Sequence, residues 1–256
     1  DAAVAQLEAD YAAIGTPEGR YHWLVAATAA DAEYWSGRAM VLRPGWSASV
    51  SAPGGDTPLV LDRALPPTVA TANITATADN QPSGPLVRYT TTAASGVDAG
   101  VVSAAGVARR QWLPCFYARV MTDPSAVTDT RLWVGLSDAD LAGLAAAPTT
   151  QHVAGFRYDT GLDNTAFWRA VTCGGTAATA TATAVAVAAD TSYELAVTVD
   201  PAGTPVRFWA NGKLAATHTT NLPGAATDLA YLARLRTLAA SARSLRLGRI
   251  AWSQQR

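Results

Sequence analysis

The residues best suited to binding a ligand stand together in the segment YDTGLDNTAFW. This segment gathers two carboxylates and an amide, Asp159, Asp163 and Asn164, beside two aromatic side chains, Tyr158 and Trp168. Such oxygen atoms can bind calcium, or they can accept hydrogen bonds from sugar hydroxyls while a ring stacks on the sugar. The same residues also suit a plain hairpin loop whose Asp and Asn side chains cap the turns. These five residues are the candidate ligand site, and calcium is the one cofactor they suggest.

Catalytic patterns are missing from the sequence. Glycoside hydrolysis needs a pair of carboxylates, one to donate a proton and one to attack or stabilise. The chain has no Glu-x-Asp-x-Glu arrangement, and its only glutamates are Glu8, Glu18, Glu33 and Glu194. The three histidines, His22, His152 and His218, are far apart and have no acid at helical spacing. Neither a G-x-S-x-G motif nor a phosphate-binding loop occurs. We therefore expect no enzyme, no catalytic residue and no metal site built on histidine.

Composition and charge favour a globular, β-rich protein. The 256 residues are 49% hydrophobic and 15% charged, with a formal net charge of -1. The arginines are scattered, so there is no domain-scale basic surface and nucleic-acid binding is not expected. No apolar run reaches the roughly 20 residues of a membrane span, and the N-terminus lacks the pattern of a signal peptide.

The first 15 residues predict a short helix with one apolar stripe. Val4, Leu7, Tyr11 and Ile14 follow the 3-4-3 spacing of heptad positions, and Gly15 then begins a break. An isolated helix of this length is marginal in water, so its stripe must be buried. It either packs on its own domain or joins identical chains, in which case we expect a homo-oligomer, with a trimer favoured.

Residues 16–83 predict a small β-rich region. Short alternating runs are separated by Pro, Gly and Asp, which is typical of strands joined by turns. Three tryptophans, Trp23, Trp35 and Trp46, lie here. They form either a small aromatic core or an exposed platform for stacking sugars. The segment DNQPSGP, 79–85, is the predicted domain boundary.

Residues 84–256 predict an antiparallel two-sheet sandwich. Some nine or ten alternating runs follow one another with turn signals between them. The most specific signal is Asn211-Gly212, since this pair supplies the two positive φ values of a type I′ hairpin turn. Period-two alternation assigns one face of each strand to the core, for example Phe116, Ala118 and Val120. Tyr117, Trp133 and Trp209 stand on the opposite faces, and the pattern leaves open whether those faces are covered.

The chain has two cysteines, Cys115 and Cys173, each inside an apolar, strand-like run. Their spacing matches neither a zinc site nor a disulfide framework. They are either two buried free thiols or one cross-strand disulfide.

Several runs together resemble the concanavalin A-like lectin/glucanase jelly roll of bacteriophage virion proteins. The resemblance covers roughly residues 84–252 and is carried by RLWVGL at 131–136, GFRYDT at 155–160 and FWANGKLAATHTTNLP at 208–223. It implies an all-β jelly roll carried on a virion as a fibre or spike subunit or a capsid decoration. Residues 16–83 would then attach it to other virion proteins, and the jelly roll would face a host-surface glycan. The alternative is a carbohydrate-binding module of a secreted bacterial protein.

Overall fold

The computed structural model describes residues 46–51, 68–69, 74–81, 84–103, 108–138, 147–163, 166–200 and 203–255. Within these ranges the chain forms two antiparallel β-sheets and a single turn of 3-10 helix, Arg110–Trp112. None of the helices in these ranges is long and apolar enough to cross a membrane. The predicted N-terminal helix, residues 1–15, lies outside the described residues.

The strands are short and follow one another closely along the chain. They are β1 Trp46–Ser51, β2 Thr68–Val69, β3 Ile74–Gln81, β4 Gly84–Thr91, β5 Asp98–Val102, β6 Cys115–Met121, β7 Thr130–Ser137, β8 His152–Asp159, β9 Phe167–Gly174, β10 Ala178–Ala186, β11 Ser192–Val199, β12 Val206–Ala210, β13 Lys213–His218, β14 Ala230–Thr237 and β15 Ser244–Gln255. Sheet I has the order β13-β12-β11-β6-β15-β4-β3, with β1 also paired to β15. Sheet II has the order β10-β9-β8-β7-β14-β5-β2. This arrangement confirms the predicted two-sheet sandwich of the jelly-roll type.

The core lies between the two sheets, and the faces that build it follow the period of two. In sheet I the predicted inward residues Phe116, Ala118 and Val120 of β6 are all buried in the core. In sheet II, Leu132 and Val134 of β7 do the same. The sequence pattern therefore assigned the inner face correctly on both sheets. We call the opposite face of each sheet its outer face.

The Asn-Gly hairpin forms as predicted. Asn211 has φ of 48° and Gly212 has φ of 78°, so both central residues of the β12–β13 turn take the positive values of a type I′ turn. The Asn211 side chain also accepts a hydrogen bond from the Glu194 backbone N–H at 3.0 Å. The turn is thereby tied to β11, the next strand of sheet I.

The sheets continue across the predicted boundary at residues 79–85. Strand β3 pairs with β4 from Ile74↔Thr91 to Gln81↔Gly84, β1 pairs with β15, and β2 pairs with β5. The turn signal of DNQPSGP thus separates two consecutive strands of one sheet, because a hairpin turn and a linker share the same residue types. The remaining residues of the predicted region 16–83, including Trp23 and Trp35, lie outside the described residues.

The outer-face aromatic side chains that the sequence left undecided are covered. Tyr117 and Trp209 on sheet I and Trp133 on sheet II are all buried. The two cysteines are free thiols, as the first of the two interpretations expects, and they lie in different sheets, Cys115 on β6 and Cys173 on β9.

Candidate functional site

The two aromatic residues of the predicted site lie on the inner face of sheet II. Trp168 has no exposed surface, and its ring makes edge contacts with Phe156, Tyr158 and Tyr193 at centroid distances of 5.6 to 6.4 Å. Burial raises the pKa of Tyr158, and the neighbouring Tyr193 adds to this effect. Both rings therefore serve the core, where a sugar could not stack on them.

The carboxylates of the predicted site lie on the other side of the same sheet. Asp159 is the last residue of β8, and its Oδ1 accepts hydrogen bonds from the backbone N–H groups of Gly161 and Leu162. Its Oδ2 accepts a hydrogen bond from Nε of Arg131 on the adjacent strand β7. Asp159 thereby fixes the start of the loop after β8, as the turn-capping alternative expects. Asn164 lies outside the described residues.

Asp163 binds two arginines at once. Arg157 donates from Nε and Nη2 to the two carboxylate oxygens, Nε at 3.0 Å, in the bidentate geometry that makes such pairs strong. Arg169 Nε lies 3.0 Å from Asp163 Oδ1. Arg157 and Arg169 are paired residues of β8 and β9, so Asp163 connects the segment after β8 to both strands.

A second shared carboxylate lies across the sheet. Asp98 of β5 has Arg234 Nη2 at 3.9 Å and Arg236 Nε at 3.8 Å, both on the neighbouring strand β14. Among the described residues, the outer face of sheet II thus carries five arginines that form ion pairs with three aspartates.

The outer face of sheet II is ordered in rows across the strands. The row at the end of the sheet contains Asp98, Arg236, Arg131, Asp159 and Phe167. Adjacent strands are spaced by about 4.8 Å, so this row spans roughly 14 Å from β14 to β9. We call it the end row.

Behind the end row lies a second row with a buried cation–π pair. Its members on successive strands are Arg234, Trp133, Arg157 and Arg169. The guanidinium carbon of Arg157 lies 5.6 Å from the centre of the Trp133 ring, within reach for a cation–π contact. Within the described residues, the buried Trp133 Nε1–H has no hydrogen-bond partner.

The third row has two glycines at its centre. Gly135 and Gly155 face each other across β7 and β8, between Leu232 and Val171. A Cβ at Gly135 would approach Gly155 Cα to 2.4 Å, and Gly135 has φ of +154°, so no larger residue fits there without a backbone shift. The strands therefore approach each other closely in the middle of this face.

The end row holds the residue that sequence reasoning missed. Phe167 is 39% exposed and is one of few large apolar side chains at the surface among the described residues. It precedes the buried Trp168, so the two rings point to opposite faces of β9. The period of two along FWRAV was the available signal, since Trp168 and Ala170 share the core face and Phe167 and Arg169 share the other.

The arrangement does not favour a metal site at the predicted position. No group of three or more His, Cys, Asp or Glu residues suited to a metal ion occurs in the described part of the chain. Asp159 and Asp163 instead direct their oxygens at arginine and backbone N–H donors. A calcium ion would have to displace a guanidinium that already neutralises each carboxylate.

Sequence comparison finds no relative. No protein-family model matches the chain, and no curated protein matches it.

Comparison with solved structures shows the fold. A protein of unknown function from Shewanella oneidensis MR-1 superposes with a TM-score of 0.59 at 11% identity, over 87% of this chain and 92% of that one. The β-glucanase of Bacillus licheniformis gives 0.52 at 12% identity, over 82% and 99%. The carbohydrate recognition domain of Emp47p gives 0.50 at 10% identity, over 75% and 95%. The chain shares the two-sheet sandwich fold of these structures.

Proposed function

We propose that this chain is a carbohydrate-binding module without catalytic activity, and that its ligand lies on the end row of sheet II. The observation that carries the proposal is Phe167, an exposed ring next to partly exposed arginines on one sheet face. A sugar stacks its apolar face on an aromatic ring while its hydroxyls bond to charged donors at the ring's side. The folds shared with a β-glucanase and a carbohydrate recognition domain support this choice.

The carboxylates of the proposed site are not arranged as a glycosidase needs them. A glycosidase needs one carboxyl group to donate a proton and a second to attack or to activate water. Asp98, Asp159 and Asp163 each face arginines instead, and Glu194, the one glutamate among the described residues, lies on β11 in sheet I. Among the described residues, the proposed binding face therefore offers a ligand guanidinium groups and an aromatic ring, with no acid placed as a proton donor.

The setting we propose for this module is a bacteriophage virion, as a fibre or spike subunit or a capsid decoration. The support is the sequence resemblance of residues 84–252 to virion jelly rolls. The partners would be other virion proteins and copies of this chain, with a host-surface glycan as ligand. Mass spectrometry of purified particles that encode this chain would detect it in stoichiometric amounts, whereas its absence from intact particles would favour the secreted bacterial alternative.

A glycan array with two matched variants tests the binding proposal. Phe167→Ala should lower the affinity for any bound glycan by about tenfold, because the stacking surface is lost. Leu214→Ala is the control, since Leu214 is 50% exposed but belongs to β13 in sheet I. Equal binding by the two variants, or no binding of any glycan by the unaltered chain, would overturn the proposal.

Hydrolysis is tested separately. Incubation of the purified chain with each glycan that it binds should release no reducing ends. Measurable turnover that resists further purification would contradict the non-catalytic assignment.

A further inference from the structure

We infer that strand β10 is a dimerisation surface, where it pairs antiparallel with β10 of a second copy of this chain. Strand β10, Ala178–Ala186, stands at the end of sheet II and pairs only with β9 among the described strands. A strand at the end of a sheet has backbone N–H and C=O groups on its open side, and these groups can pair with another strand. The inference concerns the assembly of the chain and does not depend on glycan binding.

The register of the β9–β10 hairpin shows which backbone groups face the open side. The Gly174 N–H donates to the Ala177 carbonyl at 3.3 Å, so this pair beside the turn is a hydrogen-bonded pair. Hydrogen-bonded and non-hydrogen-bonded pairs alternate along an antiparallel ladder. Ala178, Ala180 and Ala182 are therefore in non-hydrogen-bonded pairs with β9. Their N–H and C=O groups point away from β9, to the open side.

The open side of β10 is exposed and uncharged. Ala178, Ala180 and Ala182 are all exposed, and the strand consists only of alanine, threonine and one valine. Natural edge strands are protected from pairing by charged side chains, prolines, bulges or a short length. Residues 178–182 have no charge, no proline and no bulge, since the register shift of β10 against β9 lies after Ala182. This segment is therefore suited to pairing with another strand.

The strands at the other ends of the two sheets differ from β10 in this respect. Strand β13 has Lys213 and a register shift against β12, and β3 has Asp79. Strand β2 is only two residues long. Strand β10 lacks the protection that these three strands have.

A second β10 is the partner that fits this strand. With a twofold axis beside Ala180, antiparallel pairing would bring Ala180 opposite its own copy and Ala178 opposite Ala182 of the partner subunit. The backbone groups of these positions face outward, so three residue pairs with two hydrogen bonds each would give about six new bonds. Alanine would stand opposite alanine, and no like charges would meet because β10 is uncharged. Such an isologous contact closes at two copies.

The inferred contact is small and lies outside the proposed glycan site. Five residues of a strand span roughly 17 Å, and small interfaces are usually transient. Phe167 lies opposite Ala186, beyond the paired residues 178–182. Dimerisation and glycan binding can therefore be tested independently.

Analytical ultracentrifugation of the full chain at about 1 to 300 µM tests the inference. We expect the mass to double across this range, because a small interface dissociates on dilution. An additional contact through residues 1–15 would raise the starting mass without removing this doubling.

Two double variants test the register of the contact. In Ala178→Lys with Ala182→Glu, opposite charges would meet twice across the twofold axis, and the dimer should form. In Ala178→Glu with Ala182→Glu, like charges would meet at the same places, and the dissociation constant should be about tenfold higher or more. Both variants carry the same change opposite Arg169 on β9, so they differ only at position 178. The substituted positions are exposed, so the fold should tolerate both variants.

Two results would overturn the inference. A mass of the unaltered chain that stays constant up to the highest concentration would mean that β10 does not pair with itself, which would leave its open side to a strand of another protein. Equal association of the two double variants would place the contact between copies elsewhere on the chain. Neither result would alter the expected loss of glycan binding in Phe167→Ala, and a failure of glycan binding would leave the dimer intact.

Discussion

The two faces of sheet II use neighbouring residues of one strand for opposite purposes. On β9, Trp168 faces inward and is fully buried among other rings, whereas Phe167 faces outward and is exposed beside Arg169. The inner face is held by apolar packing and hydrogen-bonded neutral groups, and the outer face by ion pairs and a smaller apolar cluster around Trp133. The comparison teaches that both faces of one sheet can stabilise the fold, by apolar packing on one side and largely by ion pairs on the other, while only the outer face leaves an aromatic ring exposed.

The largest loss of stability should come from a substitution on the inner face of sheet II. Trp168→Ala removes a fully buried ring that contacts three other aromatic side chains, and we expect a loss of about 5 kcal/mol in the free energy of unfolding. Urea denaturation followed by circular dichroism measures this loss. Trp168→Phe should cost much less, since it keeps a ring and removes an indole N–H that has no acceptor among the described residues. Equal losses in both variants would contradict the packing argument.

The second-largest loss of stability should come from a substitution on the outer face of sheet II. Asp163→Asn removes the carboxylate charge that pairs with the buried Arg157, and breaking such a pair costs about 3 kcal/mol. The same denaturation experiment measures the change. Asp228→Asn is the control, because its ion pair with Arg109 is at the surface, and we expect no measurable change there. A loss in Asp163→Asn no larger than in the control would show that the outer ion pairs do not support the fold.

Between the two sheets, His218 of β13 in sheet I should make stability depend on pH. His218 is buried, its Nδ1 lies 2.9 Å from Thr172 Oγ1 and its Nε2 lies 3.0 Å from Thr181 Oγ1. Burial lowers the pKa of His218 below its ordinary value of 6.5, so the folded state favours the neutral ring. The unfolded chain therefore binds a proton at higher pH than the folded chain does.

This difference should make the folded chain less stable at acid pH. The contribution of His218 is fully present above pH 6.5 and is lost as pH falls below it, so the melting temperature should drop between pH 7.5 and pH 5. Calorimetry of the unaltered chain and of His218→Gln measures the drop, which should be smaller in the variant. An identical pH dependence in the two proteins would assign the effect to other groups.

The smallest effect on stability should be at Phe167. Phe167→Ala removes a partly exposed ring at the surface, and such substitutions usually change stability by no more than about 0.5 kcal/mol. Together with a tenfold loss of glycan binding, this result would separate the two faces most clearly. A loss of stability comparable to that of Trp168→Ala would mean that Phe167 belongs to the core.

Phe167 and Trp168 show which parts of the candidate site the residue types alone could predict. The segment YDTGLDNTAFW is predicted to bind a ligand because acids, an amide and aromatic rings stand close together in its sequence. In a strand, however, neighbouring side chains point to opposite faces. Tyr158 therefore lies in the core, whereas Asp159, the next residue, lies on the outer face beside Arg131. The arginines that complete the face come from β7, β8, β9 and β14, and no local pattern links them.

The sequence by itself determined the alternating inner faces, the Asn211-Gly212 turn and the two-sheet class, because each depends on residues that are close along the chain. Only the tertiary structure decided which aromatic residue is exposed and that Asp98 and Asp163 are each shared by two arginines. The Arg–Asp pairing across β5 and β14 depends on strand register, which joins residues more than 100 positions apart. Local spacing carries no information about such a contact, and for this reason the outer face of sheet II could not be anticipated.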